Sequence, residues 1–275
     1  MERRCVVLWV MVSMKKRAQL NVYNLAKMRL QPPHQFKWLR FDPNNDCNLH
    51  CVYCHNPRSK ELIDLSEFSA FLEENVLSLD NFQLGCIMEP TLDSRLTDFM
   101  LLVAASKAKP SGQFVLQTNG ILLHRHDLEK MRAAGLTHIS VSIDSADPAT
   151  LKDLRGGTSL DKIRSNILLA RKTLPEVKIG FMTTVTSLNI GQMQDLVAFG
   201  LDIGVSNFYL REMFHFQDSD IVDHARMLEL KLAKGAFGRM ERSLSAAFEG
   251  RANLGFWDES MLKINRNRVK TDSLR

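Results

Sequence analysis

Six short β-prone runs, separated by stretches of helical spacing, set the limits on how this chain can fold. The runs are KWLRF (37–41), NFQLGC (81–86), FVLQT (114–118), HISVSID (138–144), VKIGFMTTV (177–185) and GVSNFYL (204–210). Between them apolar residues recur every three or four positions, as in Leu65, Phe68, Phe71 and Leu72, or Leu96, Phe99, Leu102 and Val103. Leu128 and Met131, then Leu160, Ile163, Ile167 and Leu168, then Met193, Leu196 and Val197 continue the series. Such intervals line one face of a helix. Ser66, Asp93, Asp127, Ser159 and Asn189 are read as helix starts, because short polar side chains accept from the unpaired N–H groups of a first turn. Strands that alternate with helices pair in parallel, each crossover carrying its helix on the sheet. Six units fit between residue 37 and about residue 230, two short of a closed eight-unit barrel. The pattern alone leaves a partial barrel and an open parallel sheet both standing.

Residues 218–248 read as a long helical segment with Ile221, Met227, Leu228, Leu230 and Leu232 as its apolar positions. The expected organisation is an extension over 1–36, a principal domain over 37–217, a helical extension over 218–262 closing the barrel mouth, and a basic tail over 263–275. At 275 residues the chain can bury a core without covalent staples. The apolar run from Cys5 to Val12 is too short to span a bilayer. The basic flank Lys15-Lys16-Arg17 follows it, and no small-residue cleavage site does. It is read as an extension or an added strand, and no membrane association is expected.

The net charge of +5 suggests an anionic partner at first sight. Residues 1–20 and 263–275 each carry a surplus of four positive charges, so the body between them is mildly acidic. A nucleic-acid enzyme needs its basic stripe on the folded body. No nucleic acid is therefore expected, and the termini are read as solvated.

The chain has five cysteines, and three of them fall within DCNLHCVYCHN, residues 46–56, beside His50 and His55. Cysteines crowded into one loop cannot tie distant segments, so a disulfide framework is excluded and a reducing, cytoplasmic setting is expected. Cys47, Cys51 and Cys54 have the spacing C-x3-C-x2-C. Three thiolates on a short loop suit three irons of a four-iron–four-sulfur cluster, with the fourth iron left open. The same thiolates with one histidine also make a tetrahedral zinc set, although structural zinc sites usually draw on two separated pairs. In parallel β/α folds ligands collect at the C-terminal ends of strands. The cysteine loop follows the first run, GCIMEP (85–90) the second, TNG (118–120) the third and SIDS (142–145) the fourth. Thr183, Thr184 and Thr186 lie towards the end of the fifth run, and Arg211-Glu212 follow the sixth.

CNLHCVYC resembles the signature of the radical S-adenosylmethionine (radical SAM) enzymes. CIMEPTLD resembles that family's Gly-Gly-Glu-Pro segment, and LQTNGILL its Thr-Asn-Gly turn. HISVSIDSADPATLKDLRGGTSLDKIRSNI is similar to its fourth strand and following helix. The resemblance covers roughly residues 37–215 and implies an α/β partial (β/α)6 barrel with parallel strands. It implies a 4Fe-4S cluster on Cys47, Cys51 and Cys54, with S-adenosylmethionine chelating the open iron. It also implies reductive cleavage to a 5′-deoxyadenosyl radical, which takes hydrogen from a substrate. An electron donor such as flavodoxin or ferredoxin is then required. Carried over by position, Tyr53 flanks the adenine, and Glu89 with the backbone before it receives the methionyl ammonium. Thr118 and Ser142 bind the methionyl end and ribose, with strand-end capping as their simpler reading, and the backbone near Leu210 meets the adenine edge. Asp144, Arg155, Arg211 and Glu212 are candidates for substrate or methionyl carboxylate, Arg155 and Glu212 reading more simply as surface ion pairs. Where the family has two glycines this chain has Ile87 and Met88, which crowd a ligand unless the turn is rebuilt. Cys86 beside them invites assignment as a fourth ligand or radical relay, with a buried strand-end cysteine as the simpler reading.

No further cysteine-rich segment is present in the sequence, so auxiliary clusters are not expected. Redox-neutral outcomes (rearrangement, elimination, epimerisation or decarboxylation) on a natural-product, sugar or nucleoside substrate are therefore favoured. A peptide-modifying or protein-activating enzyme is the alternative within the class, and a non-catalytic zinc-binding interaction module the alternative outside it.

Overall fold

The computed structural model describes residues 7–8, 34–215, 217 and 219–257. The basic tail therefore lies outside the described residues, as does the N-terminal extension apart from 7–8 and 34–36. In chain order the first elements are β1 (Val7–Leu8), β2 (His34–Phe41), β3 (His50–Cys51), α1 (Leu65–Asn75), β4 (Val76–Leu84) and α2 (Leu96–Ala105). Then come β5 (Phe114–Thr118), α3 (Leu128–Ala133), β6 (His138–Ser142), α4 (Pro148–Leu154), β7 (Arg155–Gly156) and α5 (Leu160–Thr173). The remainder is β8 (Lys178–Val185), α6 (Met193–Asp202), β9 (Asn207–Glu212), α7 (His224–Glu229), α8 (Ala236–Ala247) and β10 (Asn253–Trp257). All six expected strands are present, as β2, β4, β5, β6, β8 and β9. The described residues divide into two compact units, and both draw on the 37–217 segment.

The first unit comprises 7–8, 34–48, 56–141 and 161–179. Its strands pair in parallel, β1 on β2, β2 on β4, β4 on β5 and β5 on β6. Val7–Leu8 pair with Trp38 and Leu39, which makes part of the N-terminal apolar run an added strand. One face of this sheet is aromatic. Phe41 stacks on Phe68 of α1 at 4.2 Å between ring centroids, Phe99 of α2 meets Phe68 edge-on at 5.3 Å, and Phe82 meets Phe114 at 5.2 Å. All five rings are nearly or wholly buried, and burying such side chains contributes about 1.5–3 kcal/mol each. The cap of α1 is Asp64, whose carboxylate accepts from the N–H groups of Ser66 and Glu67, so the helix starts one step ahead of the expected Ser66. Asp127 caps α3 as expected, whereas Asp93 precedes α2 and is held by Arg95.

The second unit comprises 49–55, 142–160, 180–215, 217 and 219–257. Here β8, β9 and β10 pair in parallel, and the short β3 and β7 pair antiparallel. Helix α6 lies so close to the sheet that a Cβ on Gly200 would meet the Phe208 ring at 2.5 Å. The helical extension expected over 218–262 is corrected at both ends of its described part. Helix α7 begins only at His224, and Asn253–Trp257 form β10 on β9. The aromatic residues of Asn253–Trp257, following the left-handed Gly250 (φ 68°), suit a strand better than a helix.

Candidate functional site

The loop carrying the cysteines is anchored on both flanks by hydrogen bonds. In the first unit Asp46 accepts from the Cys47 N–H at 2.8 Å, and Arg58 Nη1 donates to the Cys47 carbonyl at 2.8 Å. In the second unit β3 pairs with β7, and the Val52 N–H donates to the Leu154 carbonyl at 3.0 Å. Among the described residues Cys47, Cys51 and Cys54 form no disulfide, and all three are half-buried. Among the described residues no three His, Cys, Asp or Glu side chains are gathered into a group able to hold a metal ion. The donors fit an iron–sulfur cluster by their chemistry, three thiols on eight residues, with the drawing together left to the metal. His50 is exposed, and burial holds the His55 imidazole below its ordinary pKa.

In the first unit, the segment with Ile87 and Met88 in place of the glycine pair turns at Gly85. Gly85 takes φ 78°, and a Cβ there would lie 2.1 Å from the Gln117 carbonyl oxygen. The Asp42 carboxylate at the end of β2 then accepts the N–H groups of Cys86 (2.8 Å), Ile87 (3.2 Å) and Met88 (3.2 Å). Among the described residues no hydrogen bond ends on the carbonyls of Cys86, Ile87 or Met88. The Cys86 thiol is pushed up to about 12 by burial and by the neighbouring Asp42.

Glu89 is 2% exposed and both its oxygens are engaged. Oε1 accepts from the Thr91 N–H (3.1 Å), the Thr91 hydroxyl (2.5 Å) and the Thr118 hydroxyl (2.7 Å). Oε2 accepts from the Asn119 N–H at 2.6 Å. Asn119 Nδ2 donates to Asn48 Oδ1 at 2.7 Å, and Asn44 Nδ2 to the Glu89 carbonyl at 3.0 Å. The two strand-end turns are thus tied to the start of the cysteine loop. Thr118 does more than cap its strand, because its hydroxyl is one of the Glu89 donors.

The sheet face opposite the aromatic core is polar. Register aligns Arg40 with Gln83, and Gln117 with Ser140, while Gln83 Nε2 donates to Gln117 Oε1 at 2.9 Å. Among the described residues, Arg40 Nε and Ser140 Oγ are buried atoms without a hydrogen-bond partner.

In the second unit Asp144 is 0% exposed and accepts from Arg155 Nε (2.7 Å), Arg155 Nη2 (3.2 Å), the Thr184 N–H (2.8 Å) and the Tyr53 hydroxyl. Arg155 is itself 8% exposed, so the surface ion pair expected for it is corrected to a buried one. Burial pushes the Tyr53 phenol well above its ordinary pKa, and its ring packs against Leu154, Met213, Val222, Met227 and Leu230. Ser142 ends β6 half-buried. Leu210 is buried between its ladder partners Thr183 and Phe256; Arg211 beside it is exposed and Glu212 half-buried.

Sequence reasoning missed Asp42, Asn44, Asn48 and Asn119. Their partners are mostly backbone groups, or lie tens of residues away, so spacing carries no trace of them. The one signal was negative, the missing glycine pair, which left the course of that turn open.

Residues 42–200 match the radical SAM superfamily. The chain is 30% identical over 194 residues to GTP 3′,8-cyclase of Synechococcus elongatus, covering 68% of this chain and 58% of that protein. It is 26% identical over 238 residues to molybdenum cofactor biosynthesis protein moc-5 of Caenorhabditis elegans, covering 80% of this chain and 39% of that protein. Among solved structures, Streptococcus suis SuiB bound to S-adenosylmethionine superposes with a TM-score of 0.63 at 18% identity, over 88% of this chain and 53% of that one. Native anSMEcpe with bound AdoMet gives 0.62 at 16%, over 80% and 64%. These likenesses bear out the expected fold class, a parallel α/β partial barrel. The chain spans a little over half the length of the GTP 3′,8-cyclase it matches.

Proposed function

The chain belongs to the radical SAM superfamily, and we propose that it takes a hydrogen atom from a small polar substrate of nucleoside or nucleotide type, with a redox-neutral outcome. Its cofactors are those of the family, a 4Fe-4S cluster and S-adenosylmethionine, and when bound they supply a 5′-deoxyadenosyl radical by reductive cleavage of a carbon–sulfur bond. Cys47, Cys51 and Cys54 hold the cluster. The three unpaired carbonyls of Cys86, Ile87 and Met88 suit the methionyl ammonium, a group with three donors and no acceptor. Asp42 holds the Ile87 and Met88 N–H groups, which share their peptides with the Cys86 and Ile87 carbonyls, and the Glu89 N–H, across the peptide from the Met88 carbonyl, donates to the Asp46 carbonyl at 3.0 Å. Glu89, its oxygens already taken, acts as the clamp behind them. Tyr53 is the aromatic neighbour for the adenine, Ser142 a ribose contact, and the backbone near Leu210 the contact for the adenine edge. Arg211, exposed near the end of β9, is a candidate for a substrate anion with Glu212 beside it. An electron from a small donor such as flavodoxin or ferredoxin, and a cytoplasmic setting, complete the proposal; among the described residues no helix is long and apolar enough to cross a membrane.

The observation that carries the substrate class is the polar sheet face. A buried polar atom without a partner costs about 1–3 kcal/mol. The Arg40 Nε and Ser140 Oγ atoms stand beside the Gln83–Gln117 amide pair, and a ligand rich in acceptors and donors recovers that cost where an apolar one does not. A guanidinium also favours a phosphate. The relative from Synechococcus elongatus is a GTP cyclase by name, which agrees with a nucleotide.

Equilibrium dialysis of the reconstituted protein against GTP, ATP, guanosine and an unrelated peptide tests this. A nucleotide is expected to bind, and Arg40→Ala to weaken the triphosphate about tenfold more than the nucleoside. Binding of the peptide alone, or nucleotide binding indifferent to Arg40, overturns the proposal.

A further inference from the structure

Resting on the assignment of Cys47, Cys51 and Cys54 as cluster ligands, we infer that Arg155 is a positioning residue that fixes Cys51 and raises the reduction potential of the cluster bound there. Three observations within the second unit converge on it. First, β3 and β7 pair Cys51 with Arg155 and His50 with Gly156. A Cβ on Gly156 would meet the His50 carbonyl oxygen at 3.1 Å, so the two short strands run close together. The backbone of the middle cysteine is thereby fastened to the residue that carries the guanidinium.

Second, the guanidinium has little freedom. Its Nε and Nη2 take the two oxygens of Asp144 at 2.7 and 3.2 Å. Asp144 is in turn held by the Thr184 N–H at 2.8 Å, and its own carbonyl receives Asn189 Nδ2 at 2.8 Å. The Arg155 Cζ sits 5.9 Å from the centre of the Tyr53 ring, whose hydroxyl also donates to Asp144. Third, the remaining nitrogen, Nη1, donates to Cys51 Sγ at 4.0 Å.

Asp144 balances the charge of Arg155, and the balance is unequal in space. The carboxylate occupies one side of the fork, and the donor on the other side faces sulfur. Adding an electron makes a cluster and its thiolate ligands more negative, and donors to the ligand sulfurs favour that reduced form. The buried ion pair therefore has a task beyond stability. It holds a cationic donor against one ligand sulfur, and orients the loop segment from His50 to Tyr53 as it does so. Arg155→Lys keeps a charge for Asp144 but loses the rigid fork, so one ammonium cannot serve both the carboxylate and the sulfur.

The test reconstitutes the full chain anaerobically alongside Arg155→Gln, Arg155→Lys and Tyr53→Phe. Iron and sulfide are counted, and the cluster is titrated by electron paramagnetic resonance without S-adenosylmethionine. At a fixed potential the reduced-to-oxidised ratio is expected to fall about tenfold in Arg155→Gln, about 59 mV for one electron. Arg155→Lys falls by less, and Tyr53→Phe by under about threefold, because the guanidinium stays against Cys51. A fully loaded Arg155→Gln with the parent's potential overturns the inference, as does a Tyr53→Phe shift as large as that of Arg155→Gln. If Arg155→Gln takes up no iron, a fully loaded Arg155→Lys decides, and an unmoved potential there overturns the inference. A parent chain that binds no iron at all overturns the ligand assignment itself, a result distinguished by the iron count from every shift in potential.

Discussion

Glutamine at position 89 tests the clamp between the two strand-end turns through an asymmetry of hydrogen bonding. Each oxygen of Glu89 accepts one backbone N–H, Thr91 on Oε1 and Asn119 on Oε2. The two threonine hydroxyls on Oε1 are able to rotate and reverse their roles, but the backbone N–H groups are not. Whichever way the amide of Glu89→Gln is turned, its NH2 faces one of those N–H groups. The substitution loses one hydrogen bond to a charged acceptor, about 1.5–3 kcal/mol, and leaves buried donors opposed, about 1–3 kcal/mol more. A loss of roughly 3–5 kcal/mol is expected, against a total stability of about 5–15 kcal/mol for proteins in general. Urea unfolding of the parent, Glu89→Gln and Thr118→Ala under reducing conditions measures it. Thr118→Ala, which removes only a rotatable donor, should cost about 1–2 kcal/mol. Glu89 also has a pH signature. Burial raises its pKa, with the four donors opposing that rise. A carboxyl that holds its proton more tightly folded than unfolded makes stability fall as pH rises from its unfolded value, about 4.3, towards its folded one. That slope should be missing in Glu89→Gln. A loss under about 1 kcal/mol, or an unchanged pH slope, refutes the clamp.

Asp144→Asn should cost about 3–5 kcal/mol, because it leaves the buried Arg155 without a counter-charge; equilibrium unfolding reads this directly. Gly85→Ala should destabilise by about 2 kcal/mol or more, since position 85 combines positive φ with a backbone oxygen 2.1 Å from the added carbon; the thermal midpoint checks it. Cys86, with its thiol at about 12, should be the slowest of Cys47, Cys51, Cys54 and Cys86 to alkylate at pH 8 in the metal-free chain. Its thiolate fraction there is only about one in ten thousand, and mass spectrometry of peptides after timed iodoacetamide labelling measures the order.

The strands were legible because their signal is local. Val, Ile, Phe and Tyr runs of five to nine residues recur at a spacing that only parallel units satisfy, and all six were found, with β9 starting at Asn207 rather than Gly204. The misreading of 253–257 has a local cause too, a helical reading carried past Gly250 although NLGFW favours a strand. The three cysteines were legible as candidate ligands from their spacing. Their support was not. Asp42 meets amides 44 to 46 residues away, and Arg155 reaches Asp144 across the whole of α4. Contacts of that kind are made by the fold, so residue type and spacing alone leave Arg155 looking like a surface ion pair.

The most direct measurement is the yield of 5′-deoxyadenosine from the reconstituted chain. The parent and a Cys47→Ser/Cys51→Ser/Cys54→Ser variant would be loaded anaerobically with iron and sulfide, then reduced with dithionite in the presence of S-adenosylmethionine. The parent should bind about four irons per chain and release 5′-deoxyadenosine and methionine, while the triple variant does neither. A parent that carries the full cluster and leaves S-adenosylmethionine intact, with and without GTP, or one that takes up zinc in its place, contradicts the account.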